Sequence, residues 1–187
     1  MVWCNAYSEK TGLTPCYTNG SGQTITNATD GNGTECDNAG VRWNANGFRL
    51  PTEGEWQYAA SYQNGTSWTP YSWASGATAD YNNAAACQAV AWYLANAGSV
   101  THAVGLKTAN QLIIYDMSGN VSEWCGDWDA NWPGSSQTDY KGPGSGTLRV
   151  YRGGRFYNPA NNLQVGNRYN YGPGSENYDL GFRLTRR

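Results

Sequence analysis

Residues 149–187 read RVYRGGRFYNPANNLQVGNRYNYGPGSENYDLGFRLTRR. A strand-like opening, Leu148-Arg149-Val150-Tyr151-Arg152, leads into Gly153-Gly154, and an apolar close, Leu180-Gly181-Phe182-Arg183-Leu184, ends the stretch. Between them, residues 155–179 are Asn, Tyr, Arg, Gly and Pro with little aliphatic content. Framework at both ends with adaptable polar and aromatic residues between is the composition of a binding surface. Tyr supplies large contact area at small rotamer cost, and Asn and Gly supply adaptable hydrogen bonds. The same composition also describes a solvent-exposed C-terminal loop, and by itself it does not choose between the two.

The rest of the chain sets the bounds. At 187 residues the expectation is a single domain spanning 1–187, large enough to bury roughly 70% of its unfolded surface. The formal net charge of -2, from 12 basic and 14 acidic residues, carries no nucleic-acid footprint. No apolar run approaches the roughly 18 residues of a membrane span. Val2-Trp3-Cys4-Asn5-Ala6-Tyr7 is mid-domain in character rather than a secretory signal, so the chain reads as one that has lost its native N-terminus. With no heptad and no long apolar face, a monomer is expected.

Charged residues are sparse at 14% and aromatic residues match them at 14%, which implies a loop-rich fold whose core uses rings and side-chain-to-backbone hydrogen bonds. The five cysteines, Cys4, Cys16, Cys36, Cys87 and Cys125, form no CxxC pair, which argues against zinc. One or two disulfides fit an exported protein, with connectivity undecided. The sequons at Asn19, Asn27, Asn32, Asn64 and Asn120 are expected by chance in so Asn- and Thr-rich a chain.

In chain order, residues 2–12 read as a helix stopped by Gly12, followed by a turn into an extended piece at Cys16-Tyr17 and a polar hairpin or long loop from Asn19 to Gly40. The clearest helix is in residues 47–62, with Thr52 and Glu55 as a capping box and Trp56, Ala59 and Ala60 as its apolar stripe. Residues 63–111 read as aromatic-punctuated loop with a short strand at Val100–Gly105. The lone His102 has no catalytic partner at suggestive spacing and reads as structural. Residues 113–128 read as a buried strand, a tight turn at Ser118-Gly119-Asn120, and an aromatic strand. Asp116 and Glu123, with the carbonyls of Gly119 and Val121, are the hard oxygen donors that calcium takes. Alternatively, Asp116 caps the turn and Glu123 pairs with Arg149 or Arg183.

Four motifs, in order, resemble one family. They are Trp3-Cys-Asn-Ala-Tyr-Ser-Glu-Lys-Thr-Gly-Leu-Thr-Pro-Cys-Tyr17, Gly47-Phe-Arg-Leu-Pro-Thr-Glu-Gly-Glu-Trp-Gln-Tyr-Ala-Ala60, Tyr115-Asp-Met-Ser-Gly-Asn-Val-Ser-Glu-Trp124, and Arg149-Val-Tyr-Arg-Gly-Gly154 with its Leu180-Gly-Phe-Arg-Leu184 close. Together they resemble the formylglycine-generating enzyme (sulfatase-modifying factor) domain over essentially the whole chain, less the family's N-terminal strands. The resemblance implies an α+β, C-type-lectin-like fold with two helices, short antiparallel strands and much ordered loop. It also implies a calcium site at Asp116 (Asn in the family), Gly119, Val121 and Glu123, while the family's other calcium site has no clear match between Trp92 and Gly105. The enzymes hold copper with two cysteines after Arg-Gly-Gly, and residues 155–179 contain none, so the implied reading is a protein that is not an enzyme and requires no cofactor beyond a structural calcium.

Within the family, the segment is similar to the variable proteins of bacterial diversity-generating retroelements, in which adenine-specific infidelity rewrites Asn codons. That similarity makes Ala160, Gln164, Val165, Pro173, Leu180 and Phe182 framework. It makes Arg155, Tyr157, Asn158, Asn161, Asn162, Asn167, Tyr169, Asn170, Tyr171, Glu176, Asn177 and Tyr178 the diversified, ligand-facing positions. The partner implied is a protein or glycan, met at a bacterial cell surface or outside the cell.

Overall fold

The computed structural model describes residues 1–26 and 34–187. Contacts divide these into two units, one of residues 1–51, 172–175 and 183–187, the other of residues 52–171 and 176–182. The sequons at Asn27 and Asn32, and the middle of the Asn19–Gly40 stretch, lie outside the described residues.

The first unit opens with helix α1 (Val2–Lys10), closed by Gly12 at φ +74 as expected. A buried asparagine ties this helix to the next two extended segments. Asn5 Nδ2 donates to the carbonyls of Tyr17 and Ile25, and its Oδ1 accepts from Tyr17 N–H. These bonds pin β1 (Tyr17–Thr18), which pairs antiparallel with β2 (Gly40–Val41) after the short helix α2 (Thr34–Asp37). Cys4, Cys16, Tyr17, Ile25 and Ala45 form the core beneath. Cys4, Cys16, Cys87 and Cys125 are buried thiols outside any disulfide.

The second unit carries helix α3 (Glu53–Ser61) with the expected capping box: Thr52 Oγ1 accepts from Glu55 N–H and the Glu55 carboxylate accepts from Thr52 N–H. Helix α4 (Ala84–Val90) stands where the aromatic spacing of residues 63–111 predicts loop. Its sequence explains it, because Ala is the best helix former and Asn83 Oδ1 caps Ala86 N–H. The strand expected at Val100–Gly105 is absent; those residues are turn and irregular structure. The buried strand expected from Ile113 is also absent. Asn110 Oδ1 accepts from the amides of Leu112 and Ile114 and folds the chain into a turn, leaving Ile113 at φ +60 and 76% exposed. Local side-chain-to-backbone bonds outcompete the ladder there.

A four-stranded sheet of order β5-β4-β3-β6 spans the unit, from β3 (Ser122–Trp128), β4 (Arg149–Arg152), β5 (Tyr169–Tyr171) and β6 (Leu180–Gly181). β3 and β4 run antiparallel, as do β4 and β5, while β6 lies parallel to β3. Trp56, Ala60, Met117, Cys125, Val150 and Val165 form the core between α3 and the sheet. A second cluster, including Ala74, Cys87, Val90, Tyr93 and Leu163, packs α4. Gly119, at φ +79, passes so close to Trp92 that a Cβ would stand 2.2 Å from the Trp92 carbonyl oxygen; only glycine fits this turn.

Candidate ligand-binding surface

The alternation of side chains along a strand divides the sheet into two faces. On β3, Glu123, Cys125 and Asp127 are buried while Trp124 and Trp128 are half-buried on the opposite side. Strand register then assembles an aromatic row. Trp124 stands opposite Tyr151 on β4, and Tyr151 opposite Tyr169 on β5. The Trp124 and Tyr151 rings meet edge-to-face at 6.1 Å, and those of Tyr151 and Tyr169 stack at 5.5 Å. The Arg155 guanidinium lies 5.0 Å from the Tyr151 ring centre. In a second row Trp128 stands opposite Arg149, which faces Tyr171. The Arg149 guanidinium covers Trp128 at 3.5 Å. Aromatic and cation–π contacts hold both rows; Trp124, Tyr151, Tyr169 and Trp128 stay half-buried and Tyr171 exposed, while Arg149 is buried.

Across residues 155–179 the buried residues are Phe156, Leu163, Val165 and Asp179, and none of the twelve positions singled out in the sequence is buried. Tyr171 is 47% exposed and Tyr178 78%. Asn161, Asn170 and Glu176 are also exposed, and Arg155, Tyr157, Asn158, Asn162, Asn167, Tyr169 and Asn177 are half-buried. Of the expected framework, Val165 is fully buried, whereas Phe182 is 46% exposed.

Local hydrogen bonds hold several of the twelve in place. Asn162 Nδ2 donates to Tyr169 Oη at 2.7 Å, Asn167 Nδ2 to the Asn161 carbonyl at 2.6 Å, and Asn170 Nδ2 to Asp129 Oδ2 at 2.7 Å. Burial pushes the Tyr169 phenol above its ordinary range. Arg155 and Tyr157 have a different character. Both donate to Oδ2 of the fully buried Asp179, Arg155 at 2.7 Å, and Arg155 also reaches Ser122 Oγ at 3.2 Å. Burial, and after it the bond to Asp179, raises the Tyr157 phenol. These two side chains are as much anchors of the segment as parts of its surface.

The frame around the segment is ionic. Arg152, wholly buried, donates to Gln57 Oε1 and to the Val165 carbonyl, and lies 3.5 Å from Glu53. Arg168 grips both oxygens of the same Glu53, at 2.8 and 2.9 Å, and reaches Asp129 at 2.9 Å. Arg168 lies inside the segment yet acts as frame, a role its neighbours in sequence do not signal. Gly154, at φ +74, completes the Arg-Gly-Gly turn where a Cβ would meet the Asn162 carbonyl oxygen at 2.7 Å. Trp124, Tyr151 and Trp128 join the surface although sequence reasoning does not single them out. Their signal is the period-two spacing within β3 and β4, legible only once the strands and register are known.

The proposed calcium donors serve separate elements. Asp116, at φ +55, accepts from Gly105 N–H at 2.7 Å, and Glu123, buried on the core face, accepts from Trp56 Nε1 at 2.8 Å. Gly119 N–H donates to the Gly153 carbonyl. Among the described residues no group of three or more His, Cys, Asp or Glu forms a metal cluster, so an ion here would rely on backbone carbonyls. His102 is structural in its contacts: Nε2 bonds the Ala97 carbonyl and the ring stacks on Trp92 at 3.8 Å.

Residues 2–187 match the sulfatase-modifying factor enzyme 1-like domain family. The chain is 30% identical over 210 residues to a chaperone protein LppX of Paenibacillus barcinonensis, covering 100% of this chain and 66% of that protein. It is 33% identical over 157 residues to the formylglycine-generating enzyme of Streptomyces coelicolor, covering 78% of this chain and 48% of the enzyme. Among solved structures, Treponema denticola variable protein 1 aligns with a TM-score of 0.84 at 41% identity, over 98% of this chain and 66% of that one. CarF aligns with a TM-score of 0.72 at 27% identity, over 99% of this chain and 63% of that one. This chain therefore spans at most 66% of the length of each of these relatives. With its capped α3, its Arg-Gly-Gly turn and its short-stranded sheet, the chain belongs to the sulfatase-modifying factor enzyme 1-like domain family and has that family's C-type-lectin-like α+β fold.

Proposed function

We propose that this domain is a ligand-binding module without catalytic activity, whose residues 155–179 form a surface rewritten by a diversity-generating retroelement. One observation carries the reading: in that segment the buried side chains are Phe156, Leu163, Val165 and Asp179, and the twelve Asn-, Tyr- and Arg-rich positions all reach solvent. A surface can change there without changing the core. The 41% identity to a Treponema denticola variable protein supports the same reading. The segment also lacks the cysteine pair that thiolate chemistry would need at this place. Affinity would come from a few aromatic anchors, with Tyr171 on β5 and Tyr178 in the loop that follows it the most exposed in the segment, and the partner would be a protein or glycan outside the bacterial cell.

The neighbouring DNA tests this directly. The expected finding is a near-copy of the bases encoding residues 155–179, differing at adenines, beside a reverse transcriptase gene. An intact locus with no such repeat would overturn the retroelement reading and leave a binding or accessory domain of fixed sequence.

Calcium belongs to the same proposal. Asp116 and Glu123 with the Gly119 and Val121 carbonyls are an all-oxygen set, which suits a hard cation. A bound ion would stabilise the fold by mass action, about 2.7 kcal/mol at a hundredfold excess over Kd. Adding a chelator should then lower Tm by several degrees; an unchanged melting curve removes calcium from this turn.

A further inference from the structure

We infer a second binding site, for a neutral saccharide unit, in the pocket between Trp73 and Asn83. It does not rest on the rewritten-surface reading, because its lining lies outside residues 155–179. Trp73 and Asp80 pair as an isolated antiparallel bridge, which closes residues 74–79 into a loop. Ala74 and Ala77 from that loop are buried against α4, so the loop is anchored from beneath. Trp73, Ala79, Asp80, Asn82 and Asn83 line a pocket of about 470 Å³, within the ~300–1,000 Å³ of small-molecule sites.

The polar groups are fixed by their own backbone. Asn82 N–H donates to Asp80 Oδ1 at 3.0 Å, and Asn83 N–H to the Asp80 carbonyl at 3.0 Å. Asn83 Oδ1 accepts from Ala86 N–H, which commits its oxygen to the helix cap and leaves Nδ2 as a donor. Asn82 Nδ2 leans toward Asp80 Oδ2 at 3.5 Å, which leaves its own Oδ1 as an acceptor. The lining therefore supplies an indole and a methyl together with amide donors, an amide acceptor and a carboxylate.

That is the complement of a pyranose ring, which offers an apolar C–H face and hydroxyls that each donate and accept. The lining has one carboxylate and no cation, so it disfavours phosphate or a sugar acid. Its apolar part is too small to hold a lipid chain.

The pocket also has a defined neighbour. Val165 N–H donates to the Trp73 carbonyl at 2.8 Å, and Gly166 N–H to the Tyr71 carbonyl at 3.0 Å. The pocket wall is thus hydrogen-bonded to the variable segment while contributing none of its residues. Were residues 155–179 also to bind a target, a consequence that rests on the proposed function, this constant saccharide contact would add a second one at raised effective concentration.

The test is an NMR titration of the ¹⁵N-labelled chain with the methyl glycosides of glucose, galactose and mannose and with N-acetylglucosamine. Saturable shifts of the Trp73 indole N–H and the Asn82 and Asn83 side-chain amides are expected for at least one sugar, with a millimolar Kd. Trp73→Ala and the solvent-exposed Asn82→Ala should each weaken binding about tenfold or more, which corresponds to 1.4 kcal/mol. Tyr58→Ala, on an exposed ring elsewhere, should leave it unchanged. The absence of shifts with all four sugars overturns the inference. So do shifts that survive in Asn82→Ala but vanish in Tyr171→Ala, which would move the sugar to the sheet face.

Discussion

The two faces of the β5-β4-β3-β6 sheet are made from the same strands and serve opposite ends. The core face carries Arg152, Glu123, Cys125 and Asp127, all buried, with Glu53 of α3 held between Arg152 and Arg168. The outer face carries Trp124, Tyr151, Tyr169, Trp128 and Tyr171, rings held by neighbouring rings and by single hydrogen bonds. A buried charge tolerates almost no change, because losing its partner leaves the desolvation unrepaid. A half-exposed ring tolerates many, since water replaces what is lost. The pleat separates the two regimes residue by residue along β3, while on β4 Arg149 is a buried charge on the outer face, roofing Trp128.

The strongest break of that contrast is on the core face. Arg152→Ala removes the cation buried beside Glu53 and strands the carbonyl of Val165 and the amide of Gln57. The expected loss is about 3–5 kcal/mol by chemical denaturation, softened only by the Arg168 grip on Glu53. A loss under about 1 kcal/mol would show that the ionic frame does not hold the segment.

A smaller effect sharpens the boundary between frame and surface. Arg155 counts among the twelve variable positions, yet it donates to the buried Asp179 together with Tyr157. Arg155→Ala should cost about 2–3 kcal/mol, the range for losing a charged hydrogen bond to a buried acceptor. Tyr171→Ala should cost less than about 1 kcal/mol, as for a cross-strand pair facing water. Equal costs at the two positions would mean that exposure does not mark which of the twelve are free to change.

Local signals are legible in the sequence and non-local ones are hidden. The α3 capping box, the Gly12 stop and the strand before Arg-Gly-Gly each depend on residues within a few positions, and each is present. Helix α4 is easily overlooked because Ala84–Val90 is only seven residues long and its buried stripe of Ala86, Cys87 and Val90 is made of small side chains; its clearer signals are Ala propensity and the Asn83 cap. The expected strand at Ile113 fails because Asn110 bends the chain by side-chain bonds that no period-two count registers. For the site, the solvent-facing positions within 155–179 are legible through the resemblance to variable proteins, composition alone leaving a binding surface and an idle loop equally open. Their aromatic partners Trp124, Tyr151 and Trp128 are not, because strand register is set by pairings some 25 residues apart in the chain. Arg168 is hidden for the same reason, its partner Glu53 lying 115 positions away.

The core face also differs from the outer one in its response to pH. Asp127, on the core face, has its pKa pushed up to about 6, chiefly by burial and further by the nearby carboxylates of Glu53 and Glu55; Glu53 N–H and Arg149 pull the other way. The folded value lies above the unfolded one, so protonation favours the folded state. The benefit is complete below about pH 4, declines as pH rises, and is gone above about pH 6. Over that window this group alone should reduce stability by on the order of 2 kcal/mol, at 1.36 kcal/mol per unit and with allowance for relaxation around a buried acid. Asp127→Asn keeps an oxygen to accept the Glu53 N–H bond, which the wild type makes with Oδ2, but cannot ionise. It should therefore flatten the decline between pH 4 and 6 and match or exceed wild-type stability at pH 7. If urea midpoints measured across that range fall equally in both proteins, the acid responsible lies elsewhere, and the core face is less strained by its own charges than its burial implies.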